Sequence, residues 1–230
     1  MNIRDLLSSQ KFCISLARSG DRRARVAQEF ARVELDVKFV EGVDPNVTPM
    51  PAGCLKTPGA WGCAAAHAKL LAIVAASEAE GAMVFEDDVI FCDDFRERMA
   101  YLYGLSDIDA DGFLIGGHFG QAPPVTWAAS ATRWRHIYRV HAAGGTYAYA
   151  FSAEVARFVT DNWTHRWGAD EFFSEVIYRR FCVLAMSPFM CGSVPGLSLV
   201  TGTRSEYANV GWYYQQGTFD LSGLPFSGVS

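Results

Sequence analysis

The sequence has no excess of positive charge: 20 Lys and Arg stand against 25 Asp and Glu in 230 residues. A net charge of −5 argues against a dedicated duplex-binding protein covered in phosphate contacts, and leaves room only for a local basic groove. Long apolar runs are also missing. The longest, residues 62–76, contains His67 and Lys69 and falls short of the roughly 20 residues a bilayer span needs. Residues 1–10 carry Arg4 and Asp5 and no apolar core, so they do not read as a signal peptide. The expectation is a cytoplasmic protein, at most peripheral to a membrane. Six cysteines stand at 13, 54, 63, 92, 182 and 191, and no pair is spaced C-x-x-C. That pattern reads as buried free thiols in a reducing compartment, not a disulfide framework. Cys63 and His67 suggest a metal pair, but no second pair with zinc-ligand spacing completes it.

Half of the residues are hydrophobic and one in five is charged, the proportions of an ordinary globular domain. Residues 11–16 form a short apolar run ending in a loop with helix-start residues. From Arg22 the pattern turns helical, with Val26, Phe30 and Val33 on one face, and residues 37–40 make a second short strand. Strand, helix, strand at this spacing is a βαβ unit, which predicts a parallel sheet. An alanine-rich helix is expected over 62–80, one strand over 82–91, and a helix over 94–103. A buried strand over 112–115 ends in Gly116-Gly117-His118; residues 119–132, with Pro123-Pro124, read as a loop. Strands are expected over 133–141, 146–152 and 182–186, with helices over 153–162 and 170–181. Residues 1–204 read as one α/β domain. Residues 205–230, aromatic and glycine-rich, read as a tail packed on it or ordered by a ligand or by oligomerisation.

The sharpest chemical feature is Glu86-Asp87-Asp88 directly after Met83-Val84-Phe85. Three adjacent carboxylates at the end of an apolar strand repel one another and are costly to desolvate, so something positive must compensate. Ligands of open α/β sheets bind beyond the carboxyl ends of strands. A hard divalent cation, Mg²⁺ or Mn²⁺, shared with substrate phosphates fits that place; a solvated acidic turn is the alternative. Strict alternation would aim Glu86 and Asp88 to one side and Asp87 to the other.

Residues 59–67 (Gly59-Ala60-Trp61-Gly62-Cys63-Ala64-Ala65-Ala66-His67), an alanine-rich helix, then Val84-Phe85-Glu86-Asp87-Asp88-Val89 together resemble glycosyltransferase family 25. Ile14-Ser15-Leu16 before Asp21-Arg22-Arg23 resembles that family's first strand and loop, and Gly42-Val43-Asp44 the end of its second strand. Residues 145–152 and the acidic loop at 168–172 add to the match by their order. The resemblance implies a GT-A-type fold, a Rossmann-like single α/β domain with a mostly parallel central sheet flanked by helices. It also implies a nucleotide-sugar donor, UDP being the expected carrier, a divalent metal and inverting transfer of a hexose to an acceptor hydroxyl. By the same resemblance Glu86 touches the ribose or sugar and shares the metal with Asp88, while Ser15, Leu16 and Asp87 border the donor. Ala60, Ala66 and Ser15 depart from the family's usual Glu, Ser and Asn, which bears on the donor sugar and leaves open a domain that binds nucleotide sugar without transferring it.

Inversion needs a carboxylate to take the acceptor proton. Asp170 is the candidate and Glu171 the second choice; a carboxylate there is equally favoured as a helix cap. Arg18 and Arg22 either meet a diphosphate or lie on a solvated helix face, and His67 either orients the donor site or is a core histidine. Arg133, Trp134 and His118 are candidate acceptor contacts, although Arg133 and Trp134 also suit an ordinary edge strand. Glycan, lipid-linked sugar, protein side chain and modified nucleobase all present a suitable hydroxyl.

Overall fold

The structure, a computed structural model, describes residues 1–105, 107–118, 125–131, 135–187 and 189–194, and two short strands at 196–197 and 204–205. Arg133, Trp134 and nearly all of the expected tail lie outside the described residues. Asn2 opens helix α1 (Ile3–Ser8), its side chain accepting from Arg4 N at 2.9 Å, and Ile3, Leu6 and Leu7 are buried. Six residues are too few to show a helical period, which is why the sequence pattern did not reveal this element. Strand β1 (Gln10–Ser15), helix α2 (Gly20–Arg32) and strand β2 (Lys38–Glu41) form the expected βαβ unit, with Val26, Phe30 and Val33 in the core.

Helix α3 (Pro58–Ala75) starts four residues earlier than its alanine content suggests and stops five earlier. Thr57 caps it, Oγ1 accepting from Ala60 N at 3.2 Å, and Pro58 supplies the fixed φ of a first helical position. The expected single strand over 82–91 is two: β3 (Gly81–Glu86) and β4 (Val89–Phe91), separated by a turn at Asp87-Asp88. The like charges are thereby folded out of a ladder in which Ala82, Met83, Val84 and Phe85 are fully buried. Alternation therefore ends at Glu86.

Helix α4 (Phe95–Tyr103) and strand β5 (Gly112–His118) follow as the pattern predicts. Within the expected loop, residues 125–131 instead form β6 (Val125–Ala131), antiparallel to β7 (Arg135–Val140). Next come β8 (Gly144–Ser152) and α5 (Ala153–Asn162), capped by Ser152. The helix expected over 170–181 is α6 (Ala169–Phe172), a wide π-type turn (Phe173–Ile177) and α7 (Tyr178–Arg180) in succession. Strands β9 (Val183–Ser187) and β10 (Cys191–Ser193) complete the central sheet; β11 (Gly196–Leu197) and β12 (Arg204–Ser205) pair with each other.

The sheet runs β2-β1-β3-β8-β5-β9-β7-β6, with β10 joining β4 and β5. It is mixed, and the expectation of a mostly parallel sheet is corrected. β1 is parallel to β2 and β3, as the βαβ reading requires, and β5 is parallel to β9. Strand β8 lies antiparallel between β3 and β5, and β7 antiparallel to β9. β7 and β8 thus share one direction, opposite to that of β5 and β9.

One glycine fixes how α3 meets the sheet. A Cβ on Gly62 would stand 2.7 Å from the Val43 carbonyl oxygen and 3.0 Å from Pro45 Cδ, so the helix rests directly on the loop after β2. Gly62→Ala is expected to destabilise by about 1–3 kcal/mol, the usual range for overpacking. Urea unfolding at neutral pH reads this directly, and an unchanged midpoint would refute the close approach.

Candidate functional site

The site is built on the carboxyl end of β3, where three elements converge on the acidic turn. From α2, Arg22 Nη2 forms ion pairs with Asp87 Oδ1 and, at 2.9 Å, with Asp88 Oδ2. Arg25 on the same helix donates from Nη2 to the Asp87 carbonyl at 2.9 Å and from Nη1 to the Val89 carbonyl at 3.1 Å. From β1, Ser15 Oγ donates to Asp87 Oδ2 at 2.6 Å. Part of the positive charge that the carboxylates demand is thus an arginine. Asp87, 5% exposed, is consumed by these contacts and anchors the turn.

Glu86 points elsewhere. Its Oε1 accepts from Thr146 Oγ1 on β8 and lies 3.4 Å from His67 Nε2 on α3. That last distance is an electrostatic contact, since Nε2 lacks hydrogen-bond geometry to any described group. His67 is 1% exposed, and its Nδ1 is 2.9 Å from the Tyr149 hydroxyl, with Tyr149 and Phe173 packed against the ring. Burial pushes the Glu86 carboxyl up, but His67, Thr146 and Arg22 outweigh it and hold the group below its ordinary range.

Asp88 behaves oppositely. Burial, then Glu86 and Asp87, push its carboxyl up to about 6 against the pull of Arg22 and Arg25. Its Oδ1 is buried and has no partner among the described residues. An orphaned, electrostatically unhappy carboxylate oxygen fits a hard divalent cation, and of the acidic group Asp88 is the residue free to hold one. Glu86 is held away from Asp88 by Thr146 and His67.

Asp170, the second residue of α6, is exposed and forms no ion pair among the described residues; its Oδ1 accepts from Glu171 N at 2.9 Å. Its negative charge is felt at Cys63, His118 and Tyr147, and Cys63 and Tyr147 also feel Glu86 and Asp88. Cys63 and Tyr147 thus lie within the electrostatic reach of both acidic groups. Glu171 is differently employed: Oε2 pairs with Lys56 and accepts from Gly168 N at 3.1 Å, closing the helix start. Lys56 first, then that backbone bond, hold its carboxyl below the ordinary range.

His118, at the end of β5, has Nδ1 3.4 Å from the Tyr147 hydroxyl; burial lowers its pKa against the opposing pull of Asp170. Burial, then Glu86 and Asp88, push the Tyr147 hydroxyl up. Arg18 is not brought to the acidic turn: its Nε binds Asp44 Oδ2 at 2.6 Å on the surface. Leu16 follows β1, its carbonyl accepting from Ser19 N at 2.9 Å, and is half-buried. Sequence reasoning did not single out Arg25, Thr146 and Tyr149. The only signal for the last two was their place in the strand that resembles the family; no spacing marked them as neighbours of β3.

This is a mixed α/β domain whose chemistry gathers at an acidic strand end. The model of glycosyltransferase family 25 (LPS biosynthesis protein) matches residues 8–165, and the chain belongs to that family. It is 29% identical over 175 residues to the procollagen lysyl hydroxylase and glycosyltransferase of Acanthamoeba polyphaga mimivirus, covering 65% of this chain and 19% of that protein. A probable inactive glycosyltransferase 25 family member 3 of Rattus norvegicus is 32% identical over 108 residues, 40% of this chain and 19% of that one. The chain thus spans about a fifth of the length of these curated relatives. Among solved structures, A197 from STIV aligns at TM-score 0.44 and 11% identity, over 80% of this chain and 85% of that one. The inositol-1-phosphate CTP transferase from T. maritima aligns at 0.36 and 9%, over 73% and 62%. Among the described residues no helix is long and apolar enough to cross a membrane.

Proposed function

We propose that this chain transfers a hexosyl group from a nucleotide diphosphate sugar, UDP being the carrier, to an acceptor hydroxyl with inversion at the anomeric carbon. The observation that carries the reading is the acidic turn itself: beside Arg22, at the carboxyl end of β3, Asp88 keeps a buried Oδ1 without a partner among the described residues. Asp170 takes the proton of the acceptor hydroxyl. The hydroxyl oxygen bonds to the anomeric carbon, and the electron pair of the broken glycosyl–phosphate bond leaves on the β-phosphate. A divalent cation, Mn²⁺ or Mg²⁺, would be held by Asp88 and would neutralise charge on the diphosphate. Arg22 orients Asp88 and offers a guanidinium to the same anion. Glu86, fixed by Thr146 and His67, receives sugar or ribose hydroxyls. Residues 1–204 act as the transferase domain, with 205–230 an appended tail.

A domain that binds nucleotide sugar without transfer is the second reading. It is favoured by Arg22, which already supplies part of the positive charge at Asp87 and Asp88, and by the relatives named inactive. A donor panel with Mn²⁺ separates the two. Transfer predicts nucleotide release that rises with a hydroxyl acceptor; binding alone predicts saturable affinity and no release. The metal role makes its own prediction. Asp88→Ala is expected to abolish the Mn²⁺-dependent part of UDP affinity while the protein stays folded, and unchanged affinity by calorimetry would remove the metal from Asp88.

A further inference from the structure

Cys63, His67 and Glu86 bring one sulfur, one nitrogen and one oxygen atom within 4.8 Å of one another. We propose that these three side chains form a binding site for a thiolate-preferring divalent cation, Zn²⁺ in chemical class, separate from the hard-cation role of Asp88. The inference goes beyond sugar transfer, because a cation can bind here with neither donor nor acceptor present.

The geometry is that of a half-assembled tetrahedron. With zinc–ligand bonds of about 2.0–2.3 Å, neighbouring ligand atoms of a tetrahedral site stand roughly 3.3–3.8 Å apart. His67 Nε2 and Glu86 Oε1 are already 3.4 Å apart. Cys63 and His67 are one helical turn apart on α3, so both side chains project over the end of β3. Cys63 is half-buried, and rotation about its Cα–Cβ bond can bring the sulfur closer to the other two ligand atoms.

The surroundings also fit. His67 Nε2 is buried and has no hydrogen-bond partner among the described residues, so in the Nδ1–H tautomer its lone pair is open to a metal. With that lone pair on a metal, the ring carries its proton on Nδ1, which donates to the Tyr149 hydroxyl oxygen 2.9 Å away. Thr146 holds Glu86 in the same way. Metal-binding histidines and carboxylates are ordinarily steadied by such outer contacts. Binding converts the Cys63 thiol to a thiolate with release of one proton to solvent, and thiolate plus Glu86 carboxylate neutralise the doubly charged ion. Glu86, Asp88 and Asp170, whose field opposes a bare thiolate at Cys63, favour a cation there.

The test uses the metal-free full chain titrated with Co²⁺ and with Zn²⁺ against a chromogenic chelator. One equivalent of Zn²⁺ should bind, and the Co²⁺ complex should show a thiolate-to-metal charge-transfer absorption. Cys63→Ser should remove that absorption, and Tyr149→Phe should weaken Zn²⁺ binding by about 10–100-fold through the loss of the outer contact. Asp88→Asn should leave the absorption in place, which separates this site from the hard-cation role. Circular dichroism confirms the fold of each variant, and Cys63→Ser, a near-isosteric change at a half-buried position, keeps the test alive should Tyr149→Phe unfold. Absorption surviving in Cys63→Ser, absorption lost in Asp88→Asn, or no binding at all overturns the proposal.

Discussion

Asp170→Asn is expected to cut sugar transfer by about 10²–10⁴-fold, the range that general-base catalysis supplies, with donor affinity and melting temperature unchanged. The substitution keeps the shape of the side chain, and Asn still offers an oxygen to Glu171 N, so the helix start survives. What it removes is the ability to hold a proton. Glu171→Gln should show the opposite pattern: Glu171 pairs with Lys56 and accepts from Gly168 N, so its loss should lower stability modestly and leave turnover near parental. Donor calorimetry, thermal melts and initial rates on both variants decide between them. A parental rate in Asp170→Asn would move the base elsewhere.

The contrast between these two neighbours shows what was and was not legible in the sequence. Gly168-Ala169-Asp170-Glu171 offered two carboxylates at a helix start, with Asp170 the first choice and Glu171 the second, and composition alone did not show what either one meets. The difference comes from Lys56, 115 residues away in sequence, which occupies one of them. The acidic turn followed the same logic. That Glu86-Asp87-Asp88 needed a positive partner was readable from like-charge repulsion; that Arg22 supplies part of it was not. The alternation expected along 86–88 failed because the ladder ends at Glu86, so Asp87 and Asp88 turn together toward one guanidinium.

The fold shows a parallel distinction. The βαβ order of the first half was legible because its apolar periods are local: β1, α2 and β2 each declare themselves within a few residues. The second half depends on which strand β8 enters between. Its run of buried residues, Ala148, Tyr149, Ala150 and Phe151, identifies a strand but carries no direction, so its antiparallel place between β3 and β5 is a tertiary fact. That placement matters for the site, since it brings Thr146 to Glu86 and Tyr149 to His67.

Arg22→Met should be the most destabilising single change at the site, by about 3–5 kcal/mol at pH 8, because it leaves two desolvated carboxylates facing each other without their shared cation. Methionine keeps much of the apolar stem, so the loss is mainly one of charge. The pH dependence gives the effect its signature. Asp88 has a folded-state pKa of about 6, above its ordinary 3.8, so the folded chain holds that proton more tightly than the unfolded one. Ionising Asp88 therefore costs nothing below about pH 4; the cost grows as pH rises through 6 and is then constant. Arg22 opposes this upward shift, and without it the folded pKa climbs further and the cost at high pH increases. Urea unfolding of wild type and Arg22→Met should consequently show a wide gap at pH 8 that narrows at pH 5. Asp88→Asn in the Arg22→Met background should recover a substantial part of the loss, with Asp87 still served by Ser15 and by Arg25 at its carbonyl. An equal loss at both pH values, with no recovery in the double variant, would assign the role of Arg22 to packing and remove it as the internal counter-ion of the acidic turn.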